Sequence, residues 1–207
     1  MELETNKARV SGIMVKDFEF SHEVKGEKFY KTIVASERLS GVKDFVPVTA
    51  SERLLQNKYK TGDKVYVGGS FRSYNRCDGE VNKKEMFLFA AIIDYFNGDD
   101  VNNVEFIGYI CKPVGYRETP FGKHIADVLL AVNRKYKNSD YISCIAWGNN
   151  ARYAQTLPVG TELSAQGRIQ SREYKKRYPD GSEEIKTAIE VSIHGIQIVC
   201  EEDTQNG

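Results

Sequence analysis

Apolar and polar positions alternate along much of this chain, most clearly between Asp127 and Gly148. Residues 128–132 are an apolar run of strand formers. Residues 135–140 are a polar connection in which Asn138 and Ser139 suit a turn, and residues 141–147 alternate one by one. The stretch is expected to form a hairpin. Successive side chains on a strand point to opposite faces. Ile142, Cys144 and Ala146 then make a small apolar face suited to a core, and Tyr141, Ser143, Ile145 and Trp147 make the other. Tryptophan is mostly buried on average; it is the parity of the strand that places Trp147 outside. Arg134, Lys135 and Lys137 flank these rings. Rings among cations suit a single-stranded nucleic acid, because each base has a face to stack and each phosphate a charge to neutralise.

The pattern around this hairpin occurs twice. Val10-Ser11-Gly12 matches Phe106-Ile107-Gly108, and at the 96-residue offset from Gly26 to Gly122 Ile33 meets Leu129, Ala35 meets Ala131, Arg38 meets Arg134 and Asp44 meets Asp140. Further on Gly62 meets Gly160 and Gly69 meets Gly167, an offset of 98. An internal repeat decides the architecture before anything else. In the first copy, strands are expected over residues 8–20, 28–35, 44–49, 64–73 and 85–95, with a short helix over 51–59 capped by Ser51. Asp78-Gly79 is a hairpin turn. In the second, strands are expected over 104–113, 123–134, 141–147, 161–172 and 184–199, a loop over 115–122, a helix over 150–156, and a turn at residues 179–182. Five short strands with a helix between the third and fourth describe the OB-fold, a small Greek-key barrel. The chain thus reads as all-β: two tandem OB-folds over residues 1–100 and 101–200, with a short polar tail over 201–207.

Charge complicates the picture. Lys plus Arg and Asp plus Glu are equal at 29 each, whereas nucleic-acid binders are usually basic. A local stripe of cations sets the field that a bound strand feels, whatever the total. One such run is Arg172, Lys175, Lys176 and Arg177, interleaved with Tyr174 and Tyr178. Arg117, Arg134, Lys135, Lys137, Arg152 and Arg168 are weaker candidates. The four cysteines form no CxxC pair, which points to structural thiols in a reducing cytoplasm rather than a disulfide framework or zinc site. His22, His124 and His194 are far apart, and there is no Gly-rich phosphate loop, so neither an enzyme nor a cofactor is expected. The polar start MELETNKAR is no signal peptide, and no apolar run approaches the ~18 residues of a membrane span.

The second copy resembles the bacterial single-stranded DNA-binding proteins. The resemblance is carried by Arg117–Gly122 (RETPFG), Leu130–Arg134 (LAVNR), Cys144–Gly148 (CIAWG), Gly160 and Gly167–Arg172 (GRIQSR), in family order and spacing across most of residues 104–199. It implies base stacking by Tyr136, Tyr141, Trp147 and Tyr174. The first copy keeps the pattern faintly, at Gly12, Gly26, Asp44, Gly62 and Gly69. Its counterparts to the four rings are Ser40, Phe45, Ser51 and Arg76, so only Phe45 remains aromatic, with Tyr74 close to Arg76. The family often assembles four OB-folds, which for a two-fold chain implies a homodimer. The family's acidic tail with an apolar tip is reduced here to Glu201–Gly207 without a Pro-Phe-like end, which hints at a phage or mobile-element version. The resemblance implies protection of single-stranded DNA in replication, recombination or repair, in a bacterial cytoplasm near the nucleoid. Two other classes stay open on the residues alone: an OB-fold adaptor for proteins, and an RNA-binding OB-fold, since stacking does not separate RNA from DNA.

Overall fold

Period-two alternation is realised as strand along most of the chain. The computed structural model describes residues 5–78, 81–134, 138–178 and 180–199, with side chains for these except 76–78 and 81–83. The first half contains β1 (Asn6–Met14), β2 (Glu19–Val24), β3 (Glu27–Glu37), β4 (Lys43–Ser51), β5 (Lys64–Asp78) and β6 (Val81–Tyr95). The second contains β7 (Asn102–Ile110), β8 (Gly115–Glu118), β9 (His124–Asn133), β10 (Ser139–Trp147), the helix α1 (Asn149–Thr156), β11 (Glu162–Arg177) and β12 (Glu183–Ile198).

Each half closes on itself by the same pairings. β1 meets β3 and β5, β3 meets β4, β4 runs parallel to β6, and β6 returns along β5. β7, β9, β10, β12 and β11 repeat this circuit. This is the OB-fold topology. Both barrels carry a bulge at a matched glycine: between Gly68 and Gly69 on β5 and between Gln166 and Gly167 on β11. A Cβ on Gly69 would lie 2.1 Å from the Phe89 carbonyl oxygen, and on Gly167 2.5 Å from that of Ser192. Only glycine allows this approach of strands.

The halves join through β1 and β7, antiparallel with Ala8 opposite Val104, into one 12-stranded sheet. Ala8 and Val104 are counterparts in the repeat, so the junction is a pseudo-two-fold. Asn6 grips Phe71 through its main chain (2.7 and 2.9 Å), and Asn102 grips Ile169 in the same way at the same distances. Ala8, Val10, Val104 and Phe106 belong to one apolar core shared by both halves. Burying a ring such as Phe71 or Phe106 stabilises by about 1.5–3 kcal/mol.

Several expectations are corrected. The strand over 8–20 is two elements, since β1 stops at Met14 and β2 starts at Glu19. The loop over 115–122 contains the short strand β8, paired to β9. The helix expected over 51–59 is a single 3-10 turn, Glu52–Leu54. Ser51 caps it as expected, accepting from the Arg53 N–H, but buried Tyr59 donates its hydroxyl to the Ile93 carbonyl at 2.7 Å, and the chain leaves the helix early to bring it there. In the second half small buried residues, Ala151 and Ala154, let a full helix pack.

Candidate nucleic-acid interface

β10 divides its side chains as the alternation requires, with one exception. Ile142, Cys144 and Ala146 are buried, while Tyr141 is 47% and Trp147 42% exposed. Ile145, on the outer face between them, is buried as well, where β12 pairs alongside at Cys144–Ala146. Trp147 stands opposite Ile125 at the strand's end. The next residue, Gly148, has φ 57°, a left-handed conformation that turns the chain directly into α1. Tyr174 on β11 adds a third exposed ring, with the Arg172 guanidinium 6.0 Å from its centre. Arg172 also donates to Glu190 (3.3 Å), which accepts from Gln170 (2.8 Å). Lys175 and Arg177 pair with Glu183 at 3.6 and 2.8 Å, and Lys176 lies 5.0 Å over the Tyr178 ring. Exposed pairs of this kind contribute about 0–1 kcal/mol, so an incoming phosphate can displace them.

Two of the expected phosphate contacts are engaged within the fold. Arg134 holds both carboxylate oxygens of buried Asp140 and donates to the Ser73 carbonyl at 3.1 Å. A buried carboxylate is costly unless paired, so this guanidinium is committed to structure. Arg168 turns the same way: its Nε is buried, has no hydrogen-bond partner among the described residues, and lies 4.0 Å from Asp44. Burial, first, and then Arg38 push its pKa down. Asp44 is itself fully buried under Arg38, which donates to both oxygens at 2.7 and 2.6 Å.

These carboxylates also lock the halves together. Asp140 accepts from the Ser73 N–H (2.6 Å) and Asp44 from the Ser171 N–H (3.1 Å). The hydroxyl of Ser73 accepts from Tyr141 N–H (2.8 Å), and that of Ser171 from Phe45 N–H (2.9 Å). β5 of the first half is thus laid across β10 of the second, and β11 of the second across β4 of the first. Sequence reasoning missed this, although the signal was present: an Arg and an Asp six residues apart at matched places in the two copies, Arg38 with Asp44 and Arg134 with Asp140. The lock also regroups the candidate rings. Tyr74, 61% exposed, follows Ser73, whose hydroxyl meets the Tyr141 N–H; Phe45, 44% exposed, meets Ser171 through its own N–H, on the strand that carries Arg172 and Tyr174. Tyr136, Lys135 and Lys137 lie outside the described residues. Among the weaker candidates, Arg117 pairs with Asp127, and Arg152 contacts the His124 ring.

Among the described residues no group of three metal-ligating side chains occurs, and no helix is long and apolar enough to cross a membrane. Cys111 and Cys144 are free thiols; burial pushes the Cys144 thiol far up, which keeps it protonated and unreactive.

Comparison with known proteins adds to this geometry. The sequence model of the Single-strand binding protein family matches residues 101–198. Single-stranded DNA-binding protein 3 of Listeria innocua serovar 6a is 33% identical over 114 residues, covering 52% of this chain and 68% of that one. Single-stranded DNA-binding protein 1 of Streptococcus pyogenes serotype M18 is 36% identical over 84 residues, 37% of this chain and 65% of that one. Single-stranded DNA-binding protein 3 of Streptococcus agalactiae serotype V is 33% identical over 84 residues, and the chain spans 61% of its length. The crystal structure of wild-type single-stranded DNA binding protein from Thermus aquaticus superposes with a TM-score of 0.78 at 20% identity, over 98% of this chain and 96% of that one, a likeness of fold.

Proposed function

We propose that this chain, which belongs to the single-strand binding protein family, binds single-stranded DNA without marked sequence preference. Tyr141, Trp147 and Tyr174 take the bases, and Arg172, Lys175, Lys176 and Arg177 take the phosphates. The observation that carries the reading is the set of three exposed rings on the outer surface of β10 and β11 beside that cationic run. Stacking tolerates any base, and counterion release makes binding weaken with salt. By resemblance Tyr136, Lys135 and Lys137 join the site, and Phe45 and Tyr74 extend it onto the first half. Residues 1–100 and 101–200 act as two OB-fold modules, with 201–207 as a tail. Two chains pair to present four folds, in the service of DNA replication, recombination or repair in a bacterial cytoplasm. The chain acts by binding and not by catalysis.

Trp147 is the single tryptophan, so its fluorescence reports on the site directly. Titration with oligo-dT should quench it strongly, higher salt should relieve the quenching, and duplex DNA should leave it unchanged. Absence of both quenching and a rise in labelled-oligomer anisotropy at micromolar protein would reject the reading. Equal affinity for a matched RNA oligomer would reject the preference for DNA.

A further inference from the structure

A groove of about 730 Å³ runs between the two halves. Its floor is the outer face of the first barrel, with Lys31, Thr49, Glu85 and Phe87; its wall is the β11–β12 hairpin, with Tyr174, Lys176 and Lys186. Register places these side chains together. Lys31 lies opposite Thr49, and Thr49 beside Phe89. Arg72 lies opposite Phe87. The Phe29 and Phe89 rings are 5.8 Å apart, and the Arg72 guanidinium sits 3.8 Å over Phe89.

We propose that this groove is a second site for the same single strand, which passes from Tyr174 over Phe87 and onto an aromatic and cationic patch at the groove's edge, where Phe89 lies beside Thr49 and Arg72 covers the Phe89 ring. The inference rests on the reading of the chain as a single-strand binder. Four observations carry it. The first is the exchange of residues between the halves. Pairing shows that Arg72, Phe87 and Phe89 occupy the places of Gln170, Glu190 and Ser192 in the second barrel. A carboxylate that would repel phosphate has given way to a ring, and its amide partner to a cation. The first copy has lost the ring at Ser51 but has gained others on β6, the strand beside β4. Second is charge. In a chain of zero net charge the groove holds Lys31, Lys84, Lys176 and Lys186 against Glu85 and Glu184. Those two carboxylates are taken up by Lys31 (3.4 Å) and Lys186 (3.2 Å), which leaves Lys84 and Lys176 to meet phosphates. Lys84 is held at Ser143 of the second half by a 2.9 Å hydrogen bond. Third, Thr49 is 98% buried from solvent (2% exposed) and lines the groove, yet its hydroxyl has no hydrogen-bond partner among the described residues. A buried hydroxyl in that state is available to a ligand. The last is continuity: Tyr174 belongs both to this wall and to the ring set of the second half. Base, cation and backbone-tracking groove are the requirements for single-stranded DNA.

The test uses the whole chain and two lengths of labelled oligo-dT, roughly 10 nucleotides, within reach of one OB-fold, and roughly 30. The double variant R72Q/F89S installs the residues that the second half carries at these places. It should bind the short oligomer, with its Trp147 quenching, within about twofold of the parent. It should bind the long one at least about fivefold more weakly, the loss of one stacked base. Equal loss on both lengths, or none on the long one, overturns the groove. If the parent binds neither length, the function itself is wrong; if it binds both equally well, the function stands and the groove falls. Should the double variant fail to fold by circular dichroism, Lys84→Gln decides. It should lower the salt slope by about 0.7 for the long oligomer alone, as for one phosphate contact on a single strand, and an unchanged slope overturns the proposal.

Discussion

Asp44 and Asp140 sit in matched places, each buried beneath an arginine and each accepting a backbone N–H from the opposite barrel. The outer faces a few residues away do not match: Trp147 in the second half stands where the first has Ser51, and Glu190 stands where the first has Phe87. The two barrels have kept the chemistry that joins them and diverged in the chemistry that faces outward. Assembly constrains both copies equally, because each lock needs groups from both. Ligand contact constrains only a surface, which one copy can rebuild while the other continues to bind.

That division is broken most directly at the locks. Asp140→Ala and Asp44→Ala each remove the carboxylate that pairs a partly buried arginine and accepts a backbone N–H, and each should lower unfolding free energy in urea by about 3–5 kcal/mol. The two losses should be alike. A loss below about 1 kcal/mol at either site would mean that the halves do not depend on that lock.

The glycines sharpen the comparison at somewhat smaller scale. A Cβ on Gly12 would stand 2.1 Å from the Ala35 carbonyl oxygen, and on its counterpart Gly108 2.8 Å from that of Ala131. Gly12→Ala should therefore cost about 3 kcal/mol and Gly108→Ala nearer 1 kcal/mol, the upper and lower reach of overpacking. Reversed order in thermal or urea unfolding would show that the first barrel yields more easily than its spacing implies.

Much of this was legible in the sequence, for physical reasons that differ by element. The repeat was visible because turn and bulge glycines such as Gly62 and Gly160, both at positive φ, are demanded by backbone conformation alone. The face of β10 was visible because parity is a local property. The locks were not, although Arg38 and Asp44 were matched to their counterparts, because an ion pair six residues apart reads equally well as a solvated one until the opposite barrel covers it. β2 was hidden for a related reason: it is an exposed hairpin arm of mixed residues, EFSHEV, with no buried face to set a period. The rings Phe29, Phe87 and Phe89 were passed over because they occupy none of the family's stacking places, and only the barrel's closure shows that they share a surface.

Binding variants test the other side of the comparison. Tyr141→Ala and Trp147→Ala should each weaken oligo-dT binding by about 1–3 kcal/mol. Phe45→Ala, at the place of Tyr141 in the first half, should cost less, since no ring follows it at Ser51 to continue the stack. Equal losses in anisotropy titrations for Phe45→Ala and Tyr141→Ala would show that the first half binds through the same places after all.

The smallest effect separates cations that face solvent from cations that face the locks. The Lys175 side chain is 69% exposed in a loose pair with Glu183, whereas Arg168 has its Nε buried toward Asp44. Both lie on β11 and both are basic residues, so composition cannot tell them apart. Binding measured across a salt series can. Lys175→Gln should flatten the dependence of log K on log salt by about 0.7, one phosphate contact on a single strand, with little change in stability. Arg168→Gln should leave that slope where it was, because its charge already serves the buried carboxylate and the strand never meets it. A slope lowered by both would return Arg168 to the phosphate path and would mean that the lock opens when DNA binds.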